Sequence, residues 1–117
     1  MSERPELEVL VRWEHLVGEL LDRTQRFPKA VRFTFAGRID NAALDVLELL
    51  VDARYTTGAA RAAHLAEVDR RLARLRVLLR LAHARTCLSH AGYEHVSRAL
   101  DEVGRMVGGW RRREAPA

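Results

Sequence analysis

The sequence predicts an all-α protein, an up-down-up-down four-helix bundle, and three observations carry that prediction. Apolar residues recur at spacings of three and four along four long stretches, which places them on one face of a helix. The stretches are separated by residues that stop or start helices: Phe27-Pro28, Thr57-Gly58 and Ser89. Leu and Ala are abundant, with only 3 Pro and 7 Gly, a balance that favours helix over strand. At 117 residues the chain suits one domain, 1–117, with a single core, and no stretch reads as a linker.

The first helix is expected over about 6–26. Pro5 fits a first helical turn, Glu6 and Glu8 complement the positive end of the helix dipole, and Leu7, Leu10, Val11, Val17, Leu20 and Leu21 build the apolar face. The second is expected over 28–56, opened by Pro28 and closed at Thr57-Gly58. Its middle is unusual, because Val46, Leu47, Leu49, Leu50 and Val51 spread round more than half of the circumference, interrupted only by Glu48. A helix apolar over that much of its surface needs burial from more than one side. Val46, Leu47, Leu50 and Val51 are therefore the expected interface of a homo-oligomer.

The third helix, 59–87, carries Leu65, Val68, Leu72, Leu75 and Leu79 on one stripe. Ser89 is placed to cap the fourth, 90–109, in which Tyr93, Val96, Leu100, Val103 and Val107 continue the pattern until Gly108-Gly109 ends it. Trp110 then closes the apolar stripe, and 111–117 reads as a frayed basic tail. Short connections between long helices make sequence neighbours antiparallel in an up-down-up-down bundle, the alternative being a helical hairpin pair that becomes complete only in an oligomer.

Charge narrows the function. The formal net charge is +4, and 19 of the 20 basic residues are Arg. By segment the balance is −2 over 1–26, zero over 27–57, +5 over 58–87 and +1 over the remainder. The excess sits on the third helix. There Arg70, Arg71, Arg74 and Arg85 fall opposite the apolar stripe, and Arg76 and Arg80 flank it on the other shoulder. A planar guanidinium gives phosphate two parallel hydrogen bonds and keeps its charge, so these six are the expected nucleic-acid-binding residues. Their other use is pairing with acids of neighbouring helices on a solvated face.

No catalytic constellation is present in the sequence. His90, Glu94 and His95 have neither the H-E-x-x-H nor the H-x-x-E-H spacing, and His15, His64 and His83 stand alone. Cys87 is the only cysteine, which excludes an internal disulfide and a CxxC site. Gly104, Gly108 and Gly109 follow no strand and precede no Lys-Ser or Lys-Thr, so they form no phosphate loop. The expectation is a non-enzymatic cytoplasmic protein with no metal, cofactor, membrane span or small-molecule substrate.

Several segments carry a family resemblance. Arg26-Phe-Pro-Lys-Ala-Val-Arg-Phe-Thr34, Arg38-Ile39, Ala43-Leu-Asp-Val-Leu-Glu-Leu-Leu50 and Ala53-Arg-Tyr55 are followed by Leu75-Arg-Val-Leu-Leu-Arg-Leu-Ala82 and Leu100-Asp-Glu-Val-Gly-Arg-Met-Val-Gly-Gly-Trp110. In this order they resemble the four-helix-bundle family that includes ribosomal RNA intervening-sequence products and the accessory variability determinant proteins of diversity-generating retroelements. Phe35-Ala36-Gly37 departs from the pattern, where members commonly show Leu-Gly and a polar residue. The resemblance implies a ring or barrel of bundles, a homopentamer, that binds RNA or DNA and associates with the element's reverse transcriptase during mutagenic copying. The alternative it leaves open is a structural or interaction protein of the intervening-sequence group without a retroelement role. The Arg-rich third helix favours the accessory protein.

Overall fold

The computed structural model describes residues 3–114, with side chains from Pro5 onward. Four helices, α1 (Glu3–Thr24), α2 (Gly37–Arg54), α3 (Gly58–Ala84) and α4 (His90–Glu114), form a bundle measuring 48 × 23 × 19 Å. Each helix packs on the next and α4 closes back on α1. Paired side chains give the antiparallel register directly. On α3 and α4, Arg61 faces Glu114, Asp69 faces Arg111 and Arg76 faces Asp101. On α1 and α4, Arg12 meets Glu102 and Glu19 meets His95.

The core is the expected one in α3, where Leu65, Val68, Leu72, Leu75 and Leu79 are all buried. Val96, Leu100, Val103 and Val107 meet them from α4, with Trp13, Leu16 and Leu20 from α1 and Ile39, Val46 and Leu50 from α2. The indole N–H of Trp13, which burial would otherwise leave without a partner, donates to the Ala43 carbonyl at 2.9 Å.

Helix α1 covers Glu3–Thr24 rather than about 6–26, and three further boundaries differ from expectation by three residues or more. Regular α2 begins at Gly37 rather than Pro28, because Pro28 has ψ 142°, an extended geometry. A 3₁₀ turn (Lys29–Val31) and a π-helical turn (Arg32–Ala36) fill the gap, and the ring of Phe35 packs 6.1 Å from that of buried Phe27. Helix α3 stops at Ala84, short of 87, at a left-handed residue. Thr86 has φ +61°, its N–H donates to the His83 carbonyl at 3.0 Å, and the Cys87 N–H donates to that of Ala82 at 2.9 Å. This is the Schellman closure, with a threonine where glycine is usual.

Helix α4 runs through Gly108-Gly109 to Glu114, where the sequence predicts a stop. Each interior glycine costs about 1 kcal/mol of helix propensity. Tertiary contacts offset that cost. Trp110 is buried, and Arg111, Arg113 and Glu114 each reach an opposite charge on α1 or α3. Of the expected frayed tail, Arg111–Glu114 is therefore helical, and 115–117 lie outside the described residues. At the other end of α4, Ser89 caps it as its position predicts, its hydroxyl accepting the Gly92 N–H at 3.0 Å.

Two of the four expected interface residues are corrected. Val46 and Leu50 are completely buried inside this chain's own core, so neither faces a second subunit. The apolar circumference of α2 is covered mainly from within, by α1 and α3 packed on its two sides. Only Leu47, which is half-buried, and Val51 reach the surface, together with Leu44. These three share a face with Asp40, at offsets of four, seven and eleven. Asp40 accepts from Thr24 of α1, so the stripe lies on the α1 side of the bundle.

Candidate nucleic-acid interface

The six arginines singled out on α3 do not form one free ridge. Glu67 accepts from Arg70 at 2.6 Å and from Arg71 at 2.8 Å, and Arg71 also reaches Asp45 of α2 at 3.1 Å. Hydrogen bonds from Arg71 and then Arg70 hold the Glu67 carboxyl below the usual carboxylate range. The bond to Glu67, helped by the charges of Glu67 and Asp45, raises Arg71 above its ordinary value. Arg76 is held by Asp101 at 3.2 Å. Arg74, Arg80 and Arg85 are exposed and have no ionic partner among the described residues.

Their directions differ as well. Arg71 and Arg74 line a groove of about 500 Å³ between α2 and α3, together with Arg38, Asn41 and Val77. Arg76 and Arg80 line a smaller cleft of about 150 Å³ between α3 and α4, with Tyr93, Ser97 and Asp101. Gly104 leaves room there for Arg76, since a Cβ at that position would stand 2.8 Å from its Nη2.

A larger feature appears only when the chain is folded. There is no Asp or Glu between Asp22 and Asp40, and none between Asp69 and Glu94. The antiparallel topology brings the middle of the first stretch and the end of the second to the same end of the bundle, where α1 and α3 finish and α2 and α4 begin. This end gathers Arg23, Arg26, Lys29, Arg32, Arg38, Arg80 and Arg85, bordered by the acids Asp22, Asp40 and Glu94. None of the seven has an ionic partner among the described residues. Arg23 and Arg26 border a cleft of about 450 Å³ with Ser89 and Gly92 at the start of α4. A potential built by several unpaired cations over a low-dielectric bundle attracts polyanions from a distance.

Sequence reasoning missed this cationic end because it summed charge along the chain. The segment 27–57 is neutral, yet its acids all lie from Asp40 onward. The interrupted charge pattern was the available signal. Sequence reasoning also missed the contacts of three histidines. His83 stacks on Tyr93 with ring centres 4.4 Å apart and planes 5° apart, and His95 reaches Glu19 at 2.8 Å. His15 comes within 3.7 Å of the same Glu19. Among the described residues no group of three or more His, Cys, Asp or Glu side chains is arranged to hold a metal ion, and no helix is long and apolar enough to cross a membrane.

Fold and site together define a small antiparallel four-helix bundle with shallow grooves between its helices and a cationic end. Residues 9–114 match the bAvd-like family, and the chain belongs to that family of accessory-variability-determinant-type proteins. No curated protein matches the chain.

Proposed function

We propose that this chain is the non-catalytic accessory subunit of a diversity-generating retroelement, a cytoplasmic homo-oligomer, pentameric as family resemblance implies. It binds RNA or DNA through the cationic end, which includes Arg80 and Arg85, together with Arg74. It holds that nucleic acid beside the element's reverse transcriptase during mutagenic copying. The observation that carries the reading is the end of the bundle with seven cations and no acid between Asp22 and Asp40 or between Asp69 and Glu94. Subunits associate through the apolar stripe of Leu44, Leu47 and Val51 on α2, with Leu7 and Leu10 exposed or half-buried on α1.

Light scattering coupled to size-exclusion chromatography tests it, with the protein alone and with a structured RNA at two salt concentrations. The proposal expects an oligomer that takes up RNA at low salt and releases it at high salt, because each phosphate neutralised releases counterions. A monomer indifferent to RNA removes both halves of the proposal.

The second reading is a structural or interaction bundle of the intervening-sequence group. It is favoured by the pairing of Arg70, Arg71 and Arg76 within the chain, which leaves them fewer donors for phosphate. An oligomer that ignores RNA at every salt concentration supports that reading instead.

A further inference from the structure

The cationic end carries one side chain that neither folding nor charge accounts for. Phe33 is 92% exposed, the most exposed large hydrophobic residue described in the protein. It sits in the π-helical turn Arg32–Ala36, between the exposed cations Lys29 and Arg32 on one side and Arg38 on the other. The turn is held from both directions. Phe35 packs on buried Phe27, Ala36 is in the core, the Gly37 N–H bonds to the Arg32 carbonyl, and the Arg32 N–H bonds to that of Lys29. Phe33 is thus presented on a fixed backbone rather than swept about on a loose loop.

We infer that Phe33 is a stacking platform for an unpaired nucleobase, and that the cationic end therefore selects single-stranded over double-stranded nucleic acid. This rests on the polyanion reading above and adds the state of the strand to it. The physical reason is that an aromatic face exposed among cations matches a ligand that offers a flat base and a phosphate within a few ångströms of each other. A paired base inside a duplex shows its faces only to its stacked neighbours. Charge also decides against end-to-end docking of a second copy of this chain, because apposed cationic ends repel. The other highly exposed aromatic, Tyr55, is 78% exposed at the opposite end of the bundle, where the Arg54 guanidinium lies 6.0 Å from its ring centre. It serves as an internal control.

The test is fluorescence-anisotropy titration of the full chain with a labelled oligothymidylate single strand and with a duplex of equal length, over a salt series. Because Phe33 is exposed, its replacement leaves the core intact, and a thermal melt of each variant checks this. Phe33→Ala is expected to weaken single-strand binding by on the order of tenfold. Duplex binding and the salt slope should stay as in the unaltered chain, since no charge is removed. Phe33→Trp should retain or tighten single-strand binding, Phe33→Leu should behave like Phe33→Ala, and Tyr55→Ala should change nothing.

Equal weakening of single strand and duplex, or no effect of Phe33→Ala on either, overturns the inference while leaving the polyanion reading in place. Loss of binding to anionic phosphatidylserine vesicles, or a change in oligomer mass, with single-strand affinity intact would reassign Phe33 to a lipid surface or a subunit contact. If the unaltered protein binds neither strand form at low salt, the inference and the polyanion reading fall together.

Discussion

The guanidinium of Arg61 lies 5.5 Å from the centre of the Trp110 ring and joins the start of α3 to the end of α4. The same side chain donates to the carbonyls of Ala53 at 2.8 Å and Arg54 at 3.1 Å, and it faces Glu114 at 3.5 Å. It therefore satisfies carbonyls that the end of α2 leaves without helical partners. Arg61→Ala should lower stability by about 1–3 kcal/mol, measured by urea unfolding, through lost caps and a partly desolvated cation–π contact. Trp110→Ala should cost more, about 3–5 kcal/mol, because it empties buried volume.

Thr86 offers a change in the opposite direction. A β-branched residue at φ +61° carries a backbone strain that glycine does not. Thr86→Gly should raise stability by about 1 kcal/mol while keeping the hydrogen bonds that close α3, with a higher melting temperature as the readout.

The glycines of α4 make a related prediction. A Cβ at Gly108 or Gly109 would meet only the far ends of Arg112 and Arg113, at 3.5 Å or more. Gly108→Ala and Gly109→Ala should each stabilise by about 0.5–1 kcal/mol. Were the helix to end at the Gly108-Gly109 pair, as the sequence pattern alone predicts, Gly109→Ala would lose that gain.

Glu67 ties pH to the arginines it holds. Its folded pKa lies below the ordinary value of 4.5, so its pairing contributes fully above that value and is lost as pH falls through the lower folded pKa. Glu67→Gln should flatten the stability profile in that acid range. At neutral pH the same variant releases Arg70 and leaves Arg71 held by Asp45 alone, and RNA affinity should rise with a steeper salt slope. An unchanged slope would mean that neither arginine meets phosphate.

Leu47→Glu and Val51→Glu should lower the oligomer mass in light scattering while leaving the helical circular-dichroism signal intact. Val46→Ala and Leu50→Ala should instead destabilise the fold by about 1–5 kcal/mol, since these side chains are wholly buried. The two pairs separate what one apolar run on a helix conceals.

Much of the fold was legible because the stripe on α3 is written at strict spacing, and Leu65, Val68, Leu72, Leu75 and Leu79 are all in the core. Periodicity reports which face is apolar, but not how many neighbours cover it. For that reason the sequence pattern points Val46 and Leu50 outward, although α1 and α3 already enclose them. Helix ends were read from local chemistry, which held at Ser89 and failed at Gly108-Gly109, where the contacts of Trp110 and Glu114 are long-range. The ion pairs that occupy Arg71 and Arg76 come from α2 and α4 and are invisible on a single helical wheel. Phe33 was legible only as part of a family pattern, since nothing local distinguishes the exposed Phe33 from Phe35, which is half-buried against Phe27.

The separation of charge along the bundle gives the molecule a direction in an electric field. Four antiparallel helices cancel most of one another's backbone dipoles, so the moment is set by side chains. It points toward the end bearing Lys29, Arg32 and Arg85, because at the opposite end Glu6, Glu8, Asp52 and Glu114 offset Arg54, Arg61 and Arg111 to Arg113. Near a polyanion such a rod experiences a torque before it experiences contact. It turns to arrive tip first, and rods fixed side by side with the same polarity add their moments, so an assembly would be aimed more sharply than any of its subunits.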